Sequence, residues 1–515
     1  MRRLTWIALT SLALAPAARA DTYTVTLDPS IGGPPVSGRV ILFFVTETGR
    51  RWERTPPMSG PFWSRPQPIA SIAVVGLEPG GSVFLKGSAV AFPGSLDALE
   101  GTVRVQAILD SDHTERSHLT GPGNVHSAVQ TVELSAGRDD RVALRLDRRI
   151  EPEGPPEDRE NLKWIELRSE RLSAFYGRPV YHRAGVALPK GYLDPAASTR
   201  KWPAVYVIPG FGSRHHGAAR YAKRFETADA DTVEAVHIVL DPESPLGHHG
   251  FVDSPNHGPR GTALVEELIG HLESTFRLIA EPEARIVTGH SSGGWSSLWL
   301  QLEWPEVFGA CWASAPDPVD FSAFQMCDLY RDQNIYVDAG GGAVPSFRDP
   351  SGPGGETVVR MTVRQECRME YAVHPLGGSG EQWDAWEAMF SPRDPRSGYP
   401  RPMFDARTGR IDRAVVEHWR KFDISERVTS DWARYGPIVT GRIRLACGTL
   451  DSFYLERAVE RLKANVERLA GEQWGPGYIL LVPGATHGSL HRHIRERWNR
   501  EMTEHLRNHS PSSRP

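Results

Sequence analysis

Five consecutive residues, Gly289-His290-Ser291-Ser292-Gly293, constrain the fold of this chain more than any other feature. They fit the pattern G-x-S-x-G, and their setting gives the pattern its weight. The apolar run Arg285-Ile286-Val287-Thr288 precedes them, and Trp295-Ser296-Ser297-Leu298-Trp299-Leu300 follows as a helix start. A strand that turns this sharply into a helix needs small residues on both sides, because a Cβ there would meet neighbouring backbone. Such a turn lifts the serine hydroxyl clear of the sheet, where it can act as a nucleophile. A chain with 49 glycines meets the bare pattern easily, and a plain glycine turn at a helix N-cap is the alternative. The strand before and the helix after favour the nucleophile.

Around this turn, short apolar runs alternate with helical stretches, the pattern of a mostly parallel sheet flanked by helices. Residues 204–208, 235–240, 285–288, 309–313, 443–447 and 478–482 are the predicted strands. Residues 263–276, with Leu264, Leu268 and Leu272 a turn apart, and residues 456–469 are predicted helices. The alternation lapses over 317–437. That stretch is too long for a bare loop and is expected to be an insertion with short elements of its own. Earlier in the chain, 21–150 reads as about seven short strands separated by Gly, Pro and Asp clusters, an all-β sandwich domain. The acidic, Pro-rich segment 151–160 is the expected linker, which leaves 161–508 as the α/β domain.

Residues 1–20 read as a secretory signal peptide: Arg2 and Arg3, an apolar run over 4–15, then Ala18-Arg19-Ala20 as cleavage site. The mature chain is therefore expected to be exported, to the periplasm or outside the cell. No later run of 18 apolar residues occurs, so no stable membrane insertion is expected. Oxidising surroundings would permit disulfides. Of four cysteines, Cys311 and Cys447 fall in predicted buried strands, and Cys327 with Cys367 is the one candidate pair, left open. Lys and Arg number 59 against 63 Asp and Glu, a net charge of −4 without the basic excess of a nucleic-acid binder.

A serine hydroxyl needs a base, and a neutral imidazole needs an acid to hold its tautomer. In this architecture they follow in the order Ser, acid, His. Residues 443–447 run into Gly448-Thr449-Leu450-Asp451, and 478–482 run into Pro483-Gly484-Ala485-Thr486-His487. Asp451 and His487 thus stand at the C-terminal ends of strands, where an open α/β sheet keeps its site. Asp431 and Asp423 are reserve acids. For an oxyanion, the expected donors are the backbone N–H groups of Ser292 and of Phe211, in the loop Pro209-Gly210-Phe211-Gly212-Ser213; a simple tight turn is the alternative for that loop. Phe251, Asp253 and Asn256, in the loop 247–259, are candidates for touching substrate, a self-capped loop being an equal alternative. Trp383, with Trp386, could stack on an acyl group or a sugar, or form a small core for the insertion, the favoured alternative. The pairs His215-His216 and His248-His249 fit no standard zinc spacing, so no metal or organic cofactor is expected.

With these residues in place, 160–505 resembles the esterase family typified by esterase D, within the α/β-hydrolase superfamily. The resemblance rests on Val186-Ala187-Leu188-Pro189-Lys190-Gly191-Tyr192, Val207-Ile208-Pro209-Gly210-Phe211-Gly212, Leu264-Val265-Glu266-Glu267-Leu268-Ile269, the Gly289 to Gly294 stretch, and Asp451 and His487. It implies an α/β-hydrolase fold and hydrolysis of carboxylic esters or thioesters, as in feruloyl, acetyl-xylan and siderophore esterases and formylglutathione hydrolases. Two departures stand out. Pro209 occupies the place where members often carry His, and the segment between Ala313 and Ile443 is long. The expected function is an exported serine hydrolase that cleaves a small-molecule or carbohydrate-linked ester through Ser291, His487 and Asp451. An acyltransferase on the same residues, or a non-catalytic binding protein on this scaffold, is the alternative. A homodimer is left open. The insertion is expected to form a lid or wall over Ser291, with Trp383, Trp386, Met389 and Phe390 as its apolar surface; an insertion packed on the sandwich is the alternative.

Overall fold

Strict alternation in Thr22–Leu27 buries Tyr23, Val25 and Leu27 on one face and leaves three threonines half-buried on the other. The same logic builds the rest of the first 150 residues. The structure, a computed structural model, describes residues 22–87, 89–135, 140–227, 233–350 and 356–509. The signal-peptide reading of residues 1–20 falls outside the described residues.

Among the described residues, nine strands of the N-terminal region join into one sheet, not the two separate sheets expected of a sandwich. The cause is the length of Val36–Val45 and Gly101–Asp110, which pair with each other over most of their length. The far edge of Gly101–Asp110 is shared between Val125–Ser127 and Gln130–Leu134. The sheet curls until Ser82–Leu85, at one end of the path, touches Ile69–Leu77 near the other. It encloses Tyr23, Val25, Leu42, Phe44, Val105 and Leu144. Residues 151–158 have neither helix nor strand and are exposed.

The second sheet contains β1 (Leu162–Arg168), β2 (Tyr181–Ala187), β3 (Ala204–Ile208), β4 (Val236–Leu240), β5 (Arg285–His290), β6 (Ala310–Ser314), β7 (Ile443–Gly448) and β8 (Tyr478–Val482). Their order is β1-β2-β4-β3-β5-β6-β7-β8. Neighbours from β4 to β8 pair in parallel, whereas β1–β2 and β2–β4 pair antiparallel. The sheet is therefore mixed rather than mostly parallel throughout. Its antiparallel edge escapes sequence reading because edge strands are half-solvated. In β1, Lys163, Glu166 and Arg168 interrupt Leu162, Trp164, Ile165 and Leu167, so no continuous apolar run appears.

The stretch 260–275 is one helical run with a π turn at Leu264–Leu268. Helix α1 (Ser292–Glu303) is buried from Ser292 to Leu302, which explains its apolar composition. The insertion does have its own elements. A hairpin, Pro345–Asp349 with Val358–Thr362, leads into α2 (Val363–Val373), whose N-terminus is closed by a capping box between Thr362 and Gln365. Helix α3 (Gln382–Phe390) follows, and three more helices lead back to β7. Met369, Ala372 and Val373 of α2 pack on Ile41, Phe43, Ile69 and Phe92, so the insertion shares a core with the N-terminal sheet. All four cysteines are free and buried, so Cys327 and Cys367 do not form the candidate disulfide. Each is packed in apolar surroundings, and burial pushes the Cys327 thiol up to about 12. Among the described residues no helix is long and apolar enough to cross a membrane.

Candidate active site

The turn after β5 is as tight as its sequence requires. Ser291 sits at φ 59° and ψ −127°, a conformation that costs energy for a residue with a side chain. A Cβ at Gly289 would lie 2.1 Å from Gly293 O, and one at Gly293 would lie 2.0 Å from Ile208 O. Both positions therefore have to be glycine. The Ser291 N–H donates to Ser314 O at 3.0 Å, which fixes the turn to the end of β6.

Two further loops meet it from the strand ends. After β7, Leu450 N–H donates to Ala485 O at 3.0 Å, and Gly484 N–H donates to Thr449 Oγ1 at 2.9 Å. The loops after β7 and β8 thus hold each other. Gly448 permits this contact, since a Cβ there would stand 2.2 Å from Ala485 O. The outcome is a fully buried Asp451 whose Oδ2 accepts the His487 Nδ1–H at 2.7 Å and whose Oδ1 accepts the Phe453 N–H at 2.9 Å. Burial alone would lower the imidazole pKa; Asp451, with a smaller contribution from Asp317, more than offsets this, and His487 is raised above its ordinary value. The His290 ring lies 4.4 Å from that of His487 and is itself held neutral, its pKa pushed down to about 3 by burial and then by His487. With Nδ1 engaged by the acid, Nε2 of His487 is the nitrogen free to take a proton. No hydrogen bond joins Ser291 Oγ to His487 among the described residues, a looseness common before substrate arrives.

The loop after β3 reaches the same place. A Cβ on Gly210 would stand 3.2 Å from Ser291 Cβ, so the Gly210–Phe211 backbone lies against the nucleophile candidate. Ser292 opens α1, and its N–H is one of the helix's unpaired first-turn donors. His248 supports the loop, donating Nε2–H to Pro209 O at 3.0 Å. Its partner in sequence, His249, accepts the Phe251 N–H at 3.1 Å.

Sequence reasoning missed several neighbours of the site because they come from distant segments. Asp317 Oδ2 accepts both Ser292 Oγ–H at 2.7 Å and Trp386 Nε1–H at 2.8 Å. Arg348, in the insertion hairpin, donates Nε–H to Asp451 O at 2.8 Å and pairs with Glu456 at 2.7 Å. The Phe347 ring lies 5.1 Å from that of Phe453, tilted by 44°, and the Phe453 ring lies edge-on 4.9 Å from His487. From the N-terminal region, Arg116 lies 4.9 Å above the Phe211 ring.

The candidates for touching substrate fare differently. Asp253 caps the following helix, accepting N–H bonds from Gly261 and Thr262. Asn256 is buried and donates to Ala388 O and Ser391 O at 3.2 and 2.9 Å. Phe251 is buried edge-on to His249. This loop is self-capped and tied to α3, the equal alternative weighed for it. Trp383 is 1% exposed and packs against Phe324, Trp386 and Phe404, so it belongs to a core. Trp386, Met389 and Phe390 lie in that core too, which overturns them as the apolar surface of a lid. The reserve acids Asp423 and Asp431 are helix N-caps.

Residues 182–396 match the Esterase family model, described as "Putative esterase". Over that stretch, less than half of its length, the chain is similar to this esterase family. The matched stretch holds Phe211, Ser291 and Ser292 and stops before Asp451 and His487. Similar solved structures include a ferulic acid esterase, 15% identical, covering 67% of this chain and 98% of that one with a TM-score of 0.41. Another is FphF, a fluorophosphonate-binding serine hydrolase of Staphylococcus aureus, 11% identical over 68% and 99% of the two chains, TM-score 0.37. A third is an S-formylglutathione hydrolase from Agrobacterium tumefaciens, 15% identical over 68% and 98%, TM-score 0.37. No curated protein matches the chain.

Proposed function

We propose that the chain is an exported serine hydrolase that cleaves a small-molecule or carbohydrate-linked carboxylic ester through an acyl-enzyme. The reading is carried by one observation: a buried Asp451 bonded at 2.7 Å to Nδ1 of His487, both at strand ends beside a strained Ser291. Nε2 of His487 takes the Ser291 hydroxyl proton as Oγ attacks the ester carbonyl. The C–O bond becomes a tetrahedral oxyanion, stabilised by the N–H groups of Phe211 and Ser292. His487 then returns the proton to the departing alkoxide, leaving acyl-Ser291. Water, deprotonated by the same nitrogen, attacks the acyl carbon, and Ser291 leaves with the proton. Asp451 stays ionised and holds the tautomer throughout. The export rests on the composition of residues 1–20.

The test is labelling with a fluorophosphonate and turnover of p-nitrophenyl acetate. Wild type is expected to show both, with the label on the peptide carrying Ser291, and Ser291→Ala to lose both. Undiminished labelling of Ser291→Ala would assign the nucleophile elsewhere.

A further inference from the structure

One loop of the N-terminal sheet reaches the candidate site, and it presents two charges, Glu115 and Arg116. Asp112 Oδ2 accepts the N–H groups of Thr114 and Glu115 at 3.0 and 2.7 Å, while Asn124 Oδ1 accepts those of Ser111 and Asp112. The turn is therefore fixed before it meets the rest of the molecule. Glu115 then accepts from Arg183 of β2 and from Arg214, each at 2.8 Å. Arg214 directly follows the loop 209–213 and is itself paired with Asp241 at 2.8 Å. Arg116 goes further. Its guanidinium lies 4.9 Å above the ring of Phe211, donates Nε–H to Glu243 Oε2 at 2.5 Å, and stands 3.6 Å from Glu381 of the insertion. Gly380 leaves the space for its stem: a Cβ there would sit 2.5 Å from Arg116 Cγ.

These contacts converge on one peptide. Phe211 bears the N–H that the proposed hydrolysis uses for its oxyanion. Its ring is covered by Arg116, its loop is gripped at Pro209 O by His248, and the residue after the loop is held by Glu115. With its charge already matched by Glu243 and Glu381, Arg116 is not free to bind an anionic substrate. What the arrangement uses is its position over the ring face, a cation–π contact that an arginine makes more often than a lysine.

We propose that Arg116 is a positioning residue: from the N-terminal sheet, it clamps the Phe211 ring and thereby aims the Phe211 N–H at the reacting carbonyl. The proposal rests on the ester-hydrolase reading above for its kinetic consequence, but not for its structural one. It also gives the N-terminal region a direct part in the chemistry.

Three variants of the full chain, Arg116→Ala, Arg116→Lys and Phe211→Leu, separate this from a stabilising role. Kinetics with p-nitrophenyl acetate should show kcat of Arg116→Ala lower by about 10- to 100-fold, with KM changed by less than about threefold, since an oxyanion donor acts in the transition state. Arg116→Lys keeps the charge but cannot hold Glu243 and Glu381 with a guanidinium while standing over the ring, so it should recover less than half of the lost kcat. Phe211→Leu should fall in the same direction, and the double variant Arg116→Ala with Phe211→Leu should be no worse than the worse single one. Hydrogen–deuterium exchange over 209–213 should speed up in Arg116→Ala while exchange in β3 stays as in wild type. Wild-type kcat and wild-type exchange at 209–213 in Arg116→Ala would overturn the proposal, as would a lowered melting temperature with unchanged kcat. If Arg116→Ala does not fold, Phe211→Leu decides, and wild-type kcat there overturns it. If wild type itself hydrolyses no ester, the functional reading fails, and the exchange measurement still decides whether Arg116 holds the loop.

Discussion

Asp451 uses both carboxylate oxygens, one for His487 and one for the backbone of its own loop, so an amide in its place keeps the shape and spoils the chemistry. Asp451→Asn is expected to lower kcat by about 10³- to 10⁴-fold with little loss of stability, measured on a chromogenic ester. The pH profile carries a second signature. The base must be neutral, and Asp451 and Asp317 raise its pKa above 6.5. Activity should therefore be lost as pH falls through an apparent pKa above 6.5, and in Asp451→Asn that limb should move to lower pH. A profile of kcat/KM from pH 5 to 9 for both proteins checks it. A limb in wild type well below 6.5 would contradict the ion-pair geometry. At this scale the tight turn at Ser291 and the meeting of Asp451 with His487 were legible, because each residue follows an apolar run that forms a strand. Asp317, Arg116 and Arg348 were not, because what gives them meaning is a contact with a residue 25 to 103 positions away. Phe251, Asp253 and Asn256 misled for the converse reason: a polar loop on the right side of a sheet looks open until its own capping bonds are seen.

The insertion illustrates what is and is not visible in a stretch without periodicity. Its aromatic residues suggested a surface over the nucleophile, yet Trp383, Trp386, Met389 and Phe390 form a core with Phe321, Phe324 and Trp419. Contact with the site comes from Asp317, held by Trp386, and from the hairpin of Pro345–Asp349 and Val358–Thr362, whose Phe347 and Arg348 brace the loop carrying Asp451. Phe347→Ala should reduce kcat/KM for esters of bulky aromatic acids by about tenfold and for acetate esters by less than threefold, because an aromatic wall contributes to binding in proportion to the acyl surface it covers. The ratio of the two substrates' kcat/KM is the measurement; equal losses on both would make the hairpin a brace only. The six parallel-paired strands were read correctly from their apolar runs. β1 and β2 were missed, since a half-solvated antiparallel edge mixes charge into its sequence.

For the whole molecule, the decisive feature is the core in which α2 of the insertion lies on the N-terminal sheet. A shared apolar core couples regions that a flexible connection would leave independent. Met369 is fully buried there, in one cluster with Ile41, Phe43, Ile69, Phe92 and Ile108. Met369→Ala should cost about 2–5 kcal/mol and lower a single calorimetric transition in which both regions melt together. Two resolved transitions, with only one moved, would show that the regions unfold separately. The same interleaving bears on how the protein is made. Arg116 leaves the ribosome early, but its partners Glu243 and Glu381 come much later, and His487 comes after the last strand of the second sheet. A nascent chain can complete its first sheet and still hold a serine with no base. On the proposed reading, hydrolytic competence is thus deferred to the end of synthesis.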